Sequence, residues 1–289
     1  MIHFKKLLIG FYLLFTLSPQ ASECMANQST DLLKFWKQKK SSRFYIYSRQ
    51  QLTMAESLFE QLLQEGLDSE LGDKLAELDL AIEQKSDFLI ISGQGDNTGQ
   101  GVYIIRKSSA RPVLLQSPHA YHDMKTGVIG VRLMQENNYQ ALAINTAHRY
   151  SLSENGNADV AHLNESLFLS FSRAFARVYP VAKVIQLHGF NAARREQTKH
   201  IDFILSNASR YADPSLFVMR DCLNLTLQFQ SQVYPHDISL LGGTANIIGQ
   251  QLRIQGFSGF RHIEISLNAR KALAKYKKVR RLFSKCIAK

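Results

Sequence analysis

The sequence predicts an α/β fold, with a mainly parallel, mixed central sheet flanked by helices and a helical extension at the N-terminal side. Two observations carry this. From residue 112 onward, short apolar runs alternate with helical patterns: Val113–Gln116, Ala141–Asn145, Val184–Leu187 and Arg261–Ile265 are strand candidates. Between the second and third, Phe168, Phe171, Phe175 and Val178 mark an amphipathic helix, and Leu223–Gln232 predicts another. Before residue 87 the patterning is helical instead. Leu52, Ala55, Phe59 and Leu62 share one face and stop at Gly66, and Leu71, Leu75, Leu78 and Ile82 repeat the pattern.

Between these halves, Phe88–Ile91 and Val102–Ile105 read as strands joined through Gly93, Gly95, Gly99 and Gly101. The spacing is GxGxxxG and leads into a strand, so it predicts a hairpin and not a dinucleotide cradle. The expected organisation is a leader over 1–22, then one α/β hydrolase-type domain over 23–289. Within it, 23–86 forms the helical extension and 87–289 the catalytic core.

Charge sharpens the reading. The chain has 289 residues, 35 Lys plus Arg, 24 Asp plus Glu and a net charge of +11. Lys5 and Lys6 are the only charged residues among the first 22, and the last 20 hold nine basic residues and no acid. The body between carries 24 charges of each sign, which argues against a nucleic-acid-binding face. With 45% hydrophobic and 20% charged residues, intrinsic disorder is excluded. Lys5 and Lys6, the apolar run Leu7–Leu17 and the small residues Ala21 and Ser22 form a secretory-signal pattern. The run is too short to span a bilayer, which takes ~20 residues. A periplasmic or secreted protein with no transmembrane segment after cleavage is expected. Cys24, Cys222 and Cys286 then allow one disulfide and one free thiol, with the pairing open.

Metal-capable residues recur where the strands end. Val113–Gln116 runs into Ser-Pro-His-Ala-Tyr-His-Asp (117–123), Ala141–Asn145 into Thr-Ala-His-Arg (146–149), and Val184–Leu187 into His188-Gly189. His262 and Glu264 lie in the fourth strand. Parallel α/β folds gather such ends at one site. Zinc chemistry needs three protein ligands and an open position. His119, Asp123 and His188 are the candidate ligands for one Zn2+ ion, and Gly189 would let the chain turn away beside it. His122 competes with Asp123 for the second place. Glu264 alternates with Ile263 and Ile265, and it is the candidate acid/base, unless it is a solvated residue on an edge strand. Arg149 and Arg270 are candidates for holding a substrate carboxylate or a developing oxyanion. The alternative for them is structural pairing, for example with Asp159. His148, His162 and His262 are candidates for supporting or substrate-binding positions. Gly242-Gly243-Thr244-Ala245-Asn246 is either a turn that brings Asn246 to the substrate or an ordinary loop.

These residues resemble the N-formylglutamate amidohydrolase-like group, within the zinc carboxypeptidase-like superfamily. The pieces are Pro118-His119 with Asp123, Ala147-His148-Arg149, Gln186-Leu187-His188-Gly189-Phe190, Leu241–Asn246, and His262–Ser266 with Arg270. They cover about residues 112–272. The resemblance implies a zinc-dependent hydrolase of an amide or peptide bond, with metal on His119, Asp123 and His188 and acid/base work on Glu264. Pro-His is followed here by Ala-Tyr-His, where typical formylglutamate enzymes have Ser-Gly. A leader also fits poorly with an intracellular substrate. Peptides, peptidoglycan stems, poly-γ-glutamate and small N-acyl amino acids are the amide substrates in question. The alternative is a non-catalytic envelope- or peptide-binding protein on the same fold.

At the C-terminus, Ala272, Leu273, Tyr276, Val279, Leu282 and Phe283 lie near one helical side. A helix docked on the core with a solvated basic face is expected, with weak contact to an anionic surface through residues 270–289.

Overall fold

Buried strands need apolar side chains on both faces, and the strand sequences supply them. The computed structural model describes residues 31–95, 99–153 and 156–288. Three helices come first: α1 (Asp31–Gln38), α2 (Arg49–Gln64) and α3 (Ser69–Ala76). A capping box of Ser48 and Gln51 starts α2. Strands β1 (Leu80–Lys85), β2 (Phe88–Gly93), β3 (Val102–Arg106) and β4 (Arg111–Ser117) follow, then α4 (Thr126–Glu136) and β5 (Tyr139–Ile144). After the short pair β6 (Leu152–Ser153) and β7 (Gly156–Asn157) come α5 (Leu167–Val178), β8 (Lys183–Phe190) and β9 (Phe203–Ser206). The chain closes with α6 (Pro214–Leu227), β10 (Ser231–Val233), α7 (Ile247–Ile254), β11 (Phe260–Ser266), α8 (Leu267–Lys275) and α9 (Lys277–Ile287).

Nine strands form one sheet in the order β1-β2-β3-β5-β4-β8-β11-β9-β10. The central run β5-β4-β8-β11 is parallel throughout. The flank from β1 to β5 is antiparallel, and so is the β11–β9 pairing. The sheet is therefore mixed with a parallel centre, as the patterning predicts. β2 and β3 pair as the expected hairpin.

Helices cover both faces. On one, Phe59 of α2 and Phe168, Phe171 and Phe175 of α5 pack on Tyr103, Leu114, Ala143 and Val184. On the other, residues from α1, α4, α6, α8 and α9 pack on Leu115, Ile185, Leu187, Ile263 and Ile265. Phe59 meets Phe171 edge to face with centroids 5.0 Å apart. The α2–α5 contact thus joins the N-terminal helices to the sheet.

Three expectations need correction. Leu78 and Ile82 do not continue a helix: α3 ends at Ala76, the turn at Asp79 takes φ 53°, and Ile82 lies in β1. The break at 86/87 thus falls inside the β1–β2 turn, and residues 80–85 belong to the sheet. The helix expected over Leu223–Gln232 starts earlier, at Pro214 after the Asp213 cap, and stops at Leu227. Gln228 adopts the left-handed region and Ser231–Val233 becomes β10, so a short edge strand was hidden in an apolar helical pattern. Cys222 of α6 and Cys286 of α9 form a disulfide, Cα–Cα 5.5 Å. Cys24 and the leader pattern over 1–22 lie outside the described residues.

Candidate metal centre

The site grows from the two-residue period of three parallel strands. Leu115, Ile185, Leu187, Ile263 and Ile265 point to one face. Their alternating neighbours Gln116, Gln186, His188, His262 and Glu264 therefore point to the other. The register sets Gln116 beside Gln186, Gln186 beside His262, and His188 beside Glu264. Glu264 is on a central strand, which removes its alternative as a solvated edge residue.

After β4 the chain turns back at once. The amides of His122 and Asp123 both donate to the His119 carbonyl, at 2.9 and 2.7 Å. This turn brings Asp123 onto His119. Trp36 of α1 stacks on Tyr121 outside the turn, centroids 5.1 Å apart.

His119 and His188 converge on Asp123. Asp123 Oδ2 is 3.5 Å from His119 Nδ1 and 3.4 Å from His188 Nδ1. The three residues are buried. Zinc bonds of about 2.1 Å at tetrahedral angles place ligand atoms about 3.4 Å apart, so this donor set fits that ion. The far nitrogens are anchored. His119 Nε2 is 2.7 Å from Asp159 Oδ1, and His188 Nε2 is 2.7 Å from Gln186 Oε1. A proton on each Nε2 leaves both Nδ1 lone pairs facing the common point, a usual arrangement for metal-binding histidines.

Gln186 is itself held. Its Oε1 also accepts from Asn246 Nδ2 at 2.5 Å, and its Nε2 donates to Gln116 Oε1 at 2.8 Å. Gln116 Nε2 donates to Ser172 Oγ at 2.7 Å, and the Ser172 hydroxyl donates to the Phe168 carbonyl at 2.6 Å. Each amide is oriented by the next, from α5 through two strands to His188.

Burial works against protonation of His119, but the bonds with Asp123 and Asp159 outweigh it and raise its pKa. Burial lowers His188 to about 4, so it is neutral near pH 7. Burial also lowers His262 well below the ordinary histidine value. Asp123 is held well below the carboxylate range, because the two histidines outweigh its burial. Glu264 moves the other way: burial first, then the Asp123 charge, push it up to about 8. Glu264 Oε2 and His262 Nδ1 are buried and unpartnered in the structure, 3.8 Å separating Glu264 Oε1 from His262 Nε2. His188, His262 and Glu264 form a second group with metal-capable spacing beside the first.

Other expected residues sit elsewhere. Arg149 pairs with Asp159, its structural alternative, while its Nη1 lies 3.5 Å from His119 Nδ1. Arg270 does not face a substrate position with free donors. Its Nε, Nη1 and Nη2 donate to the carbonyls of Ile265, Met124 and Phe190. It clamps the ends of β8 and β11 to the Asp123 turn. Gly189 serves that clamp rather than a sharp turn: β8 continues to Phe190, and a Cβ at Gly189 would sit 2.5 Å from Arg270 Cζ. Asn246 caps α7 and braces Gln186, so it does not reach toward a substrate. His122 is exposed and meets His148 and Tyr150 at 5.3 and 5.2 Å, at the rim. His162 shares Asp159, Nδ1 to Oδ1 3.0 Å.

Sequence reasoning missed the anchoring role of Asp159 and the Ser172–Gln116–Gln186 relay. A glutamine inside each of two apolar strand runs was the available signal for the relay. Asp159 lies in a loop with no local pattern.

No family model and no curated protein matches the chain. Among solved structures, it is similar to N-formylglutamate amidohydrolase from Ralstonia eutropha JMP134, at 12% identity and TM-score 0.43, covering 66% of this chain and 96% of that one. It is also similar to a metallo-carboxypeptidase from Burkholderia cenocepacia, at 9% identity and TM-score 0.38, covering 85% of this chain and 68% of that one. These are likenesses of fold alone, at TM-scores under 0.5.

Proposed function

We propose that the protein is a zinc-dependent hydrolase of an amide or peptide bond, acting outside the cytoplasm. The observation that carries the reading is the convergence of His119 Nδ1, His188 Nδ1 and Asp123 Oδ2, with Glu264 projecting from the next strand. Zinc at such a set polarises a scissile carbonyl and makes water acidic, with a pKa near 7. His119, Asp123 and His188 hold and orient; Asp159 and Gln186 keep the two imidazoles turned the right way. Glu264 takes a proton from the attacking water and carries it to the leaving amine. Burial pushes the Glu264 carboxyl up to about 8, close enough to neutrality for it to hold and release a proton. Arg149, whose Nη1 lies 3.5 Å from His119 Nδ1, is close enough to the ligand set to meet a substrate oxygen there. The sequence resemblance supports an N-formylglutamate amidohydrolase-like or carboxypeptidase-like reaction.

Export is supported by the leader pattern and by the Cys222–Cys286 bridge, since such bonds persist in oxidising compartments.

The test is metal analysis of the purified chain after refolding with zinc, together with turnover of N-acyl amino acids, short peptides and stem peptides. About one equivalent of zinc is expected, and less than about 0.1 equivalent overturns the reading. Glu264→Gln is expected to keep the metal and lose turnover. Zinc binding with no turnover by the parent on any of these substrates favours a peptide-binding protein on the same fold.

A further inference from the structure

The charge surplus of the chain is concentrated on one exposed surface. Lys277, Lys278, Arg281 and Lys285 of α9 are exposed, and at 100° per residue they fall within one arc of about 100°. Phe283, Cys286 and Ile287 occupy the buried side, and the disulfide through Cys286 fastens the helix to α6. Lys271 and Lys275 extend the exposed surface along α8. Arg280 is the exception. It turns inward to Glu136, Nε to Oε2 2.8 Å, and to the Leu273 carbonyl. Among the described residues, no carboxylate is paired with any of the six exposed cations, and no acid follows Glu264 in the sequence.

Local physics does not call for these charges. Lys277, Arg281 and Lys285 repel at i, i+4 spacing. Lys277 and Lys278 occupy the first turn of α9, where the macrodipole disfavours cations and no side chain caps the helix. Only Lys285 sits where a helix favours positive charge. The helix is held by its apolar side, by Arg280 and by the disulfide. Its outer charges therefore oppose its own stability, while the remainder of the fold is neutral.

We propose that the α8–α9 face docks on an anionic phospholipid surface. The exposed cations are spread along two consecutive helices, which suits an extended anionic surface. Tyr276, half exposed at the α8–α9 junction beside Lys275, has the amphipathic ring that sits at a headgroup boundary. Multiple cations acting at once on one surface give reversible, salt-sensitive binding.

The experiment is co-sedimentation of the full chain with vesicles of phosphatidylcholine alone or with about 30% phosphatidylglycerol. Binding is expected only to the anionic vesicles, and salt at several times physiological strength should release it. Each cation removed should weaken partitioning about fivefold, so the quadruple variant K277Q/K278Q/R281Q/K285Q should lose several hundredfold. Its melting temperature should be no lower than the parent's and its zinc content should match, and the salt dependence of the parent provides a test that needs no variant. Equal binding to both vesicle types, salt-insensitive binding, or a folded variant that binds like the parent overturns the proposal. So does binding to soluble poly-γ-glutamate without binding to anionic vesicles.

Discussion

Gln186 is where the site is most exposed to a single change. It holds His188 Nε2 at 2.7 Å, so its loss frees the ring to rotate or to protonate at the wrong nitrogen. Gln186→Met is expected to cost 10–100-fold in zinc affinity, read by chelator competition, while the metal-free fold persists. Gln186→Glu should keep the metal. Its carboxylate accepts from His188, the Gln116 amide flips to donate to it, and the Ser172 hydroxyl turns to the freed Gln116 oxygen. Arg270 is the second sensitive residue. Arg270→Met leaves three carbonyls, two of them at buried bonds, without this donor and should cost about 3 kcal/mol or more by urea unfolding. Gly189→Ala should destabilise by the same route, since a Cβ there displaces the guanidinium. His119, Asp123, His188 and Glu264 could be read from sequence because strand periodicity and strand ends are local. The contacts of Arg270 and Asn246 could not be read locally, because their donors go to carbonyls and amides that only the fold brings near.

Among the elements, α9 is joined to the core by both chemistry and packing. The Cys222–Cys286 bridge closes a separation of 64 residues. Chain entropy over such a loop is worth about 4 kcal/mol. Reducing agent, or Cys286→Ser, should lower the unfolding free energy by up to that amount while the zinc content stays constant, since no ligand lies on α9. In α5, Phe171 is fully buried between Phe59 and Tyr103. Phe171→Ala should cost about 3–5 kcal/mol, read by thermal or denaturant unfolding. The strong elements, α2, α5 and the central strands, were visible in the sequence because their periods are long or wholly apolar. β1 and β10 were not, because each is a short edge or near-edge strand whose identity comes from its neighbour, and α4 had no signal distinct from the loop preceding it.

For the whole molecule, the net charge of +11 conceals a neutral body and a cationic face. Removing metal acts on the body: a chelator should lower the melting temperature, and re-added zinc should restore it by an amount that grows with zinc concentration. The sheet order has a further consequence, for synthesis. β11 follows β8, β9 and β10 in sequence yet lies inside the sheet, between β8 and β9. A growing or translocating chain can therefore join β4, β5 and β8 early, but it leaves a gap where β11 belongs. His188 waits there for Glu264 as its neighbour. The candidate site is thus completed only once β11 has been made, and a chain that stops before it lacks Glu264.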